Sequence, residues 1–217
     1  MALAIFDLDE TLIHGDCASL WSEQMVRLGW VDGESFLRRD KELMDAYGRG
    51  HLAMEDYMAF SLEPLIGRTP EEVTHLVGPW VEDFIEPIIF SDATKTIAAH
   101  RKAGDRILVI SASGTHLVTP IAARIGIEEV LGIELDVSHG VYSGQTVGVL
   151  TYREGKITRL LEWLEQEDES LEGAYFYSDS RNDLPLLLKV DHPQVVNPDP
   201  VLREHAEKAG WPIHHWT

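Results

Sequence analysis

Near its start the chain reads Ala2-Leu3-Ala4-Ile5-Phe6-Asp7-Leu8-Asp9-Glu10-Thr11, an apolar run that gives way to acidic and hydroxyl side chains. A short apolar run of this kind is typical of a strand that is buried in a sheet. Residues that directly follow such a strand lie at its carboxyl end, where open α/β sheets bind their ligands. This stretch therefore predicts a buried first strand with a functional site directly after it.

Two later segments repeat the pattern. Residues 106–110 are a strand candidate followed by Ser111-Ala112-Ser113-Gly114, and residues 174–177 are followed by Ser178-Asp179-Ser180-Arg181-Asn182-Asp183. Helical segments lie between the strands, and strands that alternate with helices imply parallel pairing through right-handed crossovers. We therefore expect an α/β fold, a Rossmann-like three-layer core with a parallel sheet, in which the three polar strand ends meet.

The remaining core elements alternate in the same way. A helix over residues 91–103 is expected to be capped by Ser91 or Asp92 and ended by Gly104. A hairpin turn is predicted at residues 141–144. The other predicted elements are helices at residues 115–125, 156–166, 182–188 and 200–209, and extended segments at residues 130–137, 194–196 and 212–216.

The stretch from residue 15 to residue 85 differs in character. Apolar residues such as Leu20, Trp21 and Met25 recur at three- and four-residue spacing, and glycines interrupt the pattern, which predicts several short helices and no strand. We expect residues 15–85 to form an inserted all-helical cap, and residues 1–14 and 86–217 to form the α/β core.

The composition excludes several classes of partner. The 217 residues carry a formal net charge of −19, which repels nucleic-acid phosphates and anionic membrane surfaces. The single cysteine, Cys17, excludes an intrachain disulfide, and the apolar start is too short for a signal peptide. We therefore expect a cytoplasmic protein with no nucleic-acid or membrane partner, and no protein partner is implied.

The polar strand ends combine carboxylates with phosphate-binding groups. Carboxylates in one crevice repel one another unless a cation neutralises them, and Mg²⁺ is their usual partner beside phosphate. Asp7 and Asp9 would share a face in an extended chain, whereas a turn after Asp7 would let the Asp9 carbonyl reach the metal and free its side chain for proton transfer. Ser111 either holds phosphate with the N–H groups after it or caps a helix. Lys156 either balances the charge of a nucleophile and a phosphoryl group or is an ordinary exposed lysine.

Together these segments resemble the four motifs of phosphatases of the haloacid dehalogenase superfamily. Asp7-Leu8-Asp9-Glu10-Thr11 resembles the DxDxT signature, Ser111 the second motif, Lys156 the third, and Asp179 with Asp183 the fourth. All four occur in the expected order, over roughly residues 1–15 and 87–200. The helical insertion is placed as in the phosphoserine-phosphatase-like branch, whose cap closes over the site.

The resemblance implies a magnesium-dependent phosphatase. Asp7 would attack phosphorus and form an aspartyl-phosphate, and Asp9 would protonate the leaving alcohol and then deprotonate water. Lys156 would balance the charge, and Asp183 would orient Lys156 or a metal-bound water. The implied phosphate-binding residues are Thr11, Ser111, Ala112, Ser113 and Asn182, and the implied metal ligands are Asp7, Asp9, Asp179 and Asp183.

The cap narrows the expected substrate. Asp16 takes the place of the acid that binds the substrate amine in phosphoserine phosphatases, or it caps a helix. Ser61 stands where those enzymes carry an arginine for the substrate carboxylate, and further acids follow in the cap at Asp40, Glu42 and Asp45. We therefore expect a small phosphorylated metabolite, an amino-alcohol phosphate such as histidinol phosphate. Phosphoserine and phosphoethanolamine are the open alternatives.

Other functions stay open on the sequence. A phosphotransferase needs the same Asp7–Asp9 pair and differs only in the acceptor of the phosphoryl group. A dehalogenase is disfavoured, because a leaving halide needs no proton from Asp9. A non-catalytic metabolite-binding module on the same fold predicts the loss of a motif residue, and none is missing. An aromatic wall from Trp21, Trp30 and Trp80 would suit an imidazole ring.

Overall fold

A central sheet and surrounding helices make up the structure, a computed structural model that describes residues 2–217. Strands β1 to β7 run Leu3–Phe6, Arg106–Gly114, Glu129–Ser138, Val141–Val147, Tyr175–Ser178, His192–Val196 and Ile213–His214. Helices α1 to α9 run Cys17–Arg27, Gly33–Gly48, Met54–Leu62, Pro70–Trp80, Ser91–Ala103, Thr115–Arg124, Glu154–Glu167, Leu184–Leu187 and Pro200–Ala209.

The strands form one sheet in the order β4-β3-β2-β1-β5-β6-β7. Neighbouring strands are parallel except β3 and β4, which pair antiparallel at one edge. The strand order reverses at β1, because the chain continues to β2 on one side and to β5 on the other. Such a switch point leaves a crevice at the carboxyl ends of the strands. The predicted α/β core is confirmed, with one antiparallel edge strand in addition.

Helices cover both faces of the sheet because side chains alternate along each strand. In β1, Ala4 and Phe6 pack in the apolar cluster that contains α5 and α6. Leu3 and Ile5 point the other way and pack with α7, α8 and α9. All four side chains are buried, so β1 lies at the centre of the three layers that the sequence predicts.

Two local predictions are wrong. The hairpin turn lies at His139 and Gly140, whose φ angles of 53° and 84° suit a two-residue turn, whereas residues 141–144 belong to β4. Helix α5 includes Ser91 and has no side-chain cap, because the Asp92 carboxylate accepts the N–H of Thr217 instead, at 3.0 Å. The other end of α5 is as predicted, since Gly104 follows it with a left-handed φ of 85°.

The stretch between β1 and α5 is helical, as the sequence predicts. Trp21 packs edge to face with Trp30 and Trp80, at centroid distances of 6.1 and 5.1 Å. Trp30 and Trp80 therefore stabilise the packing of α1 and α4 and do not line the substrate pocket. The cap limits at residues 15 and 85 stay a prediction, because α1 and α4 share an apolar cluster with the sheet.

Within residues 2–217, none of the helices has both the length and the apolar character needed to span a bilayer.

Candidate active site

A pocket of about 270 Å³ lies at the carboxyl ends of β1, β2 and β5. The core supplies acidic and hydroxyl groups to its wall, and helices α2 and α3 of the cap supply mostly apolar and aromatic ones. The three polar strand ends of the sequence therefore meet in one place, and the helical insertion faces them.

Asp7 forms a buried ion pair with Lys156. The lysine Nζ donates to Asp7 Oδ1 at 2.8 Å and also contacts both carboxylate oxygens of Asp183, at 2.7 and 2.8 Å. Asp183 accepts a further hydrogen bond from Ser178 Oγ at 2.7 Å. Lys156 is 1% exposed, so the alternative of an ordinary surface lysine is wrong.

Asp9 belongs to a separate set of hydrogen bonds. Its Oδ1 accepts the N–H of Cys17 at 2.7 Å, and its Oδ2 accepts the hydroxyl of Ser113 at 2.9 Å and that of Ser111 at 3.5 Å. The side chain is thus held beside the end of β2, away from Lys156. This arrangement corresponds to the sequence alternative in which a turn after Asp7 releases the Asp9 carboxylate for proton transfer.

The local conformation that separates the two aspartates is a tight turn. The N–H groups of Thr11, Leu12 and Ile13 all donate to the carbonyl of Leu8, and Glu10 adopts a left-handed φ of 53°. Because the chain turns instead of continuing as a strand, residues two apart no longer share a face.

Four of the predicted phosphate-binding side chains, those of Thr11, Ser111, Ser113 and Asn182, have protein partners. The Thr11 hydroxyl lies between the N–H of Asp179, at 3.1 Å, and the Asp179 carboxylate, at 3.3 Å. The Ser111 hydroxyl is buried and accepts the N–H of Ser113 at 3.1 Å. Ala112 and Ser113 do line the pocket, because β2 runs four residues beyond its predicted end and carries them past Asp9.

Asn182 joins the core to the cap. Its Nδ2 donates to the carbonyl of Tyr47 in α2 at 3.2 Å, and its Oδ1 accepts from Tyr152 and Arg153, each at 3.3 Å. Arg153 also donates to the carbonyl of Gly50, just beyond α2. The amide of Asn182 is therefore engaged with the cap, and its predicted role in phosphate binding stays a prediction.

Asp16 caps a helix, one of the two roles that the sequence left open, and contact with the substrate amine stays a prediction. Its Oδ1 accepts the N–H of Ser19 at 2.7 Å and caps α1, and its side chain also lines the pocket. Burial raises the pKa of Asp16 well above its usual range, and the negative charges of Asp9 and Asp40 add to that rise. An ammonium group beside Asp16 would relieve this unfavourable charge.

Asp7, the candidate nucleophile, and the carboxylates near it carry more negative charge than the one neighbouring lysine can neutralise. Burial raises the pKa of Asp7 to about 7. The positive charge of Lys156 opposes this rise, and the negative charges of Asp183 and Asp9 add to it. Burial also raises the pKa of Asp179 well above its usual range, and Asp7 and Asp183 raise it further. A single lysine therefore does not neutralise these carboxylates, and a hard divalent cation fits them.

The donor set suits Mg²⁺ held by few side chains. Among residues 2–217, no three His, Cys, Asp or Glu side chains are placed to hold one ion together. The carboxylates of Asp9 and Asp183 already accept hydrogen bonds on both oxygens, which leaves Asp7 and Asp179 as the carboxylate donors that fit. Mg²⁺ usually binds one or two carboxylates and keeps several waters.

The acidity of the pocket comes from residues other than the three further acids that the sequence analysis named in the cap. Asp40 is buried and accepts from the hydroxyls of Ser19 and Ser22, at 2.8 and 3.0 Å. Glu42 pairs with Arg39 at the surface, and Asp45 is exposed. None of these three acids lines the pocket, whose acidic residues are Asp7, Asp9, Glu10, Asp16, Asp179 and Asp199.

Sequence reasoning missed the cap side of the pocket. Met44, Tyr47, Met54 and Tyr57 line it, next to Asp16. The helical periodicity of α2 and α3 was visible, but apolar residues at that spacing normally indicate packing. A tyrosine on such an apolar face was the available signal, because a buried phenol needs a hydrogen-bond partner.

Comparison with known proteins agrees with this geometry. The family model of haloacid dehalogenase-like hydrolases matches residues 4–188. A histidinol-phosphatase of Neisseria meningitidis serogroup C strain 8013 is 37% identical over 215 residues, which cover 97% of each chain.

Solved structures show the same fold. A protein of unknown function from Bordetella pertussis Tohama I has a TM-score of 0.92 and 34% identity, and the match covers 99% of this chain and 98% of that one. A phosphoserine phosphatase with an analogue of its phospho-aspartyl intermediate has a TM-score of 0.71 at 20% identity, over 98% and 92% of the two chains. The chain belongs to the haloacid dehalogenase-like hydrolase family and is a phosphoric monoester hydrolase.

Proposed function

We propose that this enzyme hydrolyses a small amino-alcohol phosphate, with Mg²⁺, through an aspartyl-phosphate on Asp7. The observation that carries the proposal is the separation of the two aspartates. Asp7 is paired with Lys156, and Asp9 is held by Ser113 on another side of the same pocket. One carboxylate is thereby suited to attack, and the other to proton transfer.

The reaction proceeds in two displacements. Asp7 attacks phosphorus, the bond between phosphorus and the leaving oxygen breaks, and a protonated Asp9 gives its proton to that oxygen. Asp9 then takes a proton from water, whose oxygen attacks phosphorus and releases phosphate from Asp7. Lys156 holds Asp7 in place and offsets its charge. Asp7, Asp179 and the carbonyl of Asp9 would hold Mg²⁺, which would supply positive charge for the phosphoryl oxygens.

The pocket wall favours a cationic leaving group over a carboxylate. Among the described residues that line it, six are acidic and none is lysine or arginine. Asp16 faces this space from the start of α1, and Met44, Tyr47 and Met54 give an apolar and aromatic wall beside it. A ring-bearing amino alcohol suits this combination. The similarity to a histidinol-phosphatase supports histidinol phosphate as the substrate.

The decisive experiment measures phosphate release from histidinol phosphate, phosphoserine and phosphoethanolamine, with and without Mg²⁺. We expect release to need Mg²⁺, to prefer histidinol phosphate, and to fall roughly a thousandfold or more in Asp7→Asn. Asp83→Asn, the same change at an exposed acid, is the matched control and should keep native rates.

Each contrary result has a definite meaning. A preference for phosphoserine would disprove the argument from Asp16 and the acidic wall while leaving the chemistry in place. No release from any ester would reject the hydrolysis itself and favour a binding module. Transfer of phosphate to added alcohols, in preference to water, would identify a phosphotransferase.

A further inference from the structure

A second, much smaller cavity adjoins the catalytic pocket. It measures about 20 Å³ and lies between helices α1 and α3 and the start of α6. Ala18, Tyr57 and Ser113 line both spaces. Ser113 is the residue that holds Asp9, so the small cavity borders the pocket on the side where the leaving group is protonated.

Three buried polar atoms, each on a residue that lines this cavity, have no hydrogen-bond partner within residues 2–217. They are Trp21 Nε1, Tyr57 OH and His116 Nδ1. Two other such atoms occur in that range, on Arg159 and Arg181, and both arginines have acidic neighbours. Buried polar groups are normally paired, so three unpaired ones on the lining residues of one cavity point to a ligand.

These three groups are neutral. Burial lowers the pKa of His116 to about 4. Burial raises the pKa of Tyr57 well above its usual range, and the charges of Asp16 and Asp40 raise it further. The cavity thus offers the Trp21 N–H donor, a hydroxyl that can donate or accept, and an imidazole nitrogen. This set matches a neutral group that both donates and accepts hydrogen bonds, and it does not match an ammonium or a phosphate.

The size of the cavity limits what it can take. A volume of about 20 Å³ accommodates one water-sized group. His116 reaches its position because residue 114 is glycine, where a Cβ would lie 2.6 Å from His116 Nδ1. Ser61, which stands at the place of the substrate-binding arginine in the sequence comparison, also lines this cavity.

We infer that this cavity is a subsite for one neutral nitrogen or oxygen atom at the far end of the leaving group, and that Tyr57 is the specificity-determining residue. The inference rests on the proposed function. Tyr57 lines both the subsite and the pocket that contains Asp16, so one leaving group can place its amine in the pocket and a neutral ring nitrogen in the subsite. The imidazole of histidinol carries such a nitrogen.

The test compares two substrates that differ in the ring. Histidinol phosphate and phenylalaninol phosphate share the amine and the phosphate, but only the first has ring nitrogens. We expect Tyr57→Phe to lower kcat/KM for histidinol phosphate about tenfold to a hundredfold, mainly through KM. The kcat/KM of Tyr57→Phe for phenylalaninol phosphate should stay within about threefold of the native value. Trp21→Phe, which removes the indole N–H donor of another residue that lines the cavity, should lower kcat/KM for histidinol phosphate and spare phenylalaninol phosphate in the same way.

Tyr142→Phe is the matched control, because Tyr142 is buried near His116 but does not line either cavity. It should leave both substrates unchanged. Equal losses on both substrates in Tyr57→Phe would show a structural role and overturn the inference. No loss on histidinol phosphate would mean that the cavity holds only water, and would also overturn it.

Two further measurements separate this inference from the proposed function. Hydrolysis of p-nitrophenyl phosphate that depends on Asp7 tests the chemistry alone. Calorimetry with free histidinol tests the subsite without chemistry, and binding that weakens about tenfold or more in Tyr57→Phe supports it. Histidinol that binds equally to both proteins, or to neither, overturns the subsite whatever the result with the aryl phosphate.

Discussion

At the scale of single residues, Lys156 organises the charges of the site. Its ammonium group is buried and bonded to Asp7 and Asp183, which lie on different loops of the core. Burial alone would lower the pKa of Lys156, but the two carboxylates outweigh it and raise the pKa. The lysine therefore stays charged and holds both loops in register.

Replacing this lysine tests that role. We expect Lys156→Met to abolish phosphate release and to lower the free energy of unfolding by about 3 kcal/mol, because two buried carboxylates lose their cation. Lys95→Met removes an exposed pair with Asp92 and should change the free energy of unfolding by less than about 0.5 kcal/mol. Urea unfolding measures both values, and equal small changes would contradict the prediction.

His116 gives a pH dependence at the same scale. Its pKa is about 4 in the folded protein and about 6.5 when unfolded, so the unfolded chain binds the proton more readily. The contribution of His116 to the free energy of unfolding should therefore fall by about 1–3 kcal/mol as the pH drops from about 6.5 to about 4, whereas the raised pKa values of Asp7, Asp16 and Asp179 act in the opposite direction. His116→Gln should remove this contribution, so acidification over this range should lower the urea midpoint of the native protein more than that of the variant. The same pH dependence of the midpoint in both proteins would disprove the assignment.

At the scale of elements, the start of α7 positions Lys156. The chain enters this helix through Arg153, which has a left-handed φ of 51°, and Gly155 follows two residues later. A Cβ on Gly155 would lie 1.9 Å from the carbonyl oxygen of Leu150. This close approach of two backbone segments can be made only by glycine, and it fixes where the helix begins.

A glycine substitution checks this explanation. Gly155→Ala should lower the free energy of unfolding by roughly 3 kcal/mol or more, because the clash involves backbone rather than a side chain that can move. Gly78→Ala in α4 has nothing within 4 Å of the added Cβ and should be neutral or stabilising by up to about 1 kcal/mol. Similar midpoints for both variants in thermal unfolding would reject this account.

At the scale of the whole molecule, the fold concentrates acidic groups at one end of the sheet. Asp7 lies in the loop after β1, and Asp179 and Asp183 lie in the loop after β5. Burial together with the mutual repulsion of these carboxylates raises the pKa of Asp7 and Asp179. The core must therefore tolerate unfavourable charge at the switch point, where parallel strands and the cap meet. A bound divalent ion would relieve it.

Metal removal tests this balance through stability instead of activity. Mg²⁺ at a hundred times its dissociation constant should raise the free energy of unfolding by about 2.7 kcal/mol, and chelation should reverse the gain. Asp179→Asn should lose most of this gain and should raise the melting temperature of the metal-free protein, because it removes a repelling charge. Asp83→Asn should behave like native, and an equal Mg²⁺ response in Asp179→Asn would exclude Asp179 as a ligand.

Much of the architecture was predictable because local pattern determines it. The apolar run before Asp7, the alternation of strands and helices, and the glycine after α5 are short-range signals, and the structure has each of these elements. The turn at residues 139–140 and the absent cap on α5 could not be predicted. Several neighbouring residues are of types that form turns, and both Ser91 and Asp92 are of types that cap helices. Their outcome depends on distant partners such as Thr217.

The sequence by itself determined the α/β class, the helical insertion and the set of polar residues at three strand ends, because strand and helix periodicities and the order of motifs are written along the chain. Only the tertiary structure decided which partner each side chain has. It pairs Lys156 with Asp7, turns Asp9 toward Ser113, and brings Tyr57 to the pocket wall. These contacts join residues far apart in the chain, and packing in three dimensions selects them.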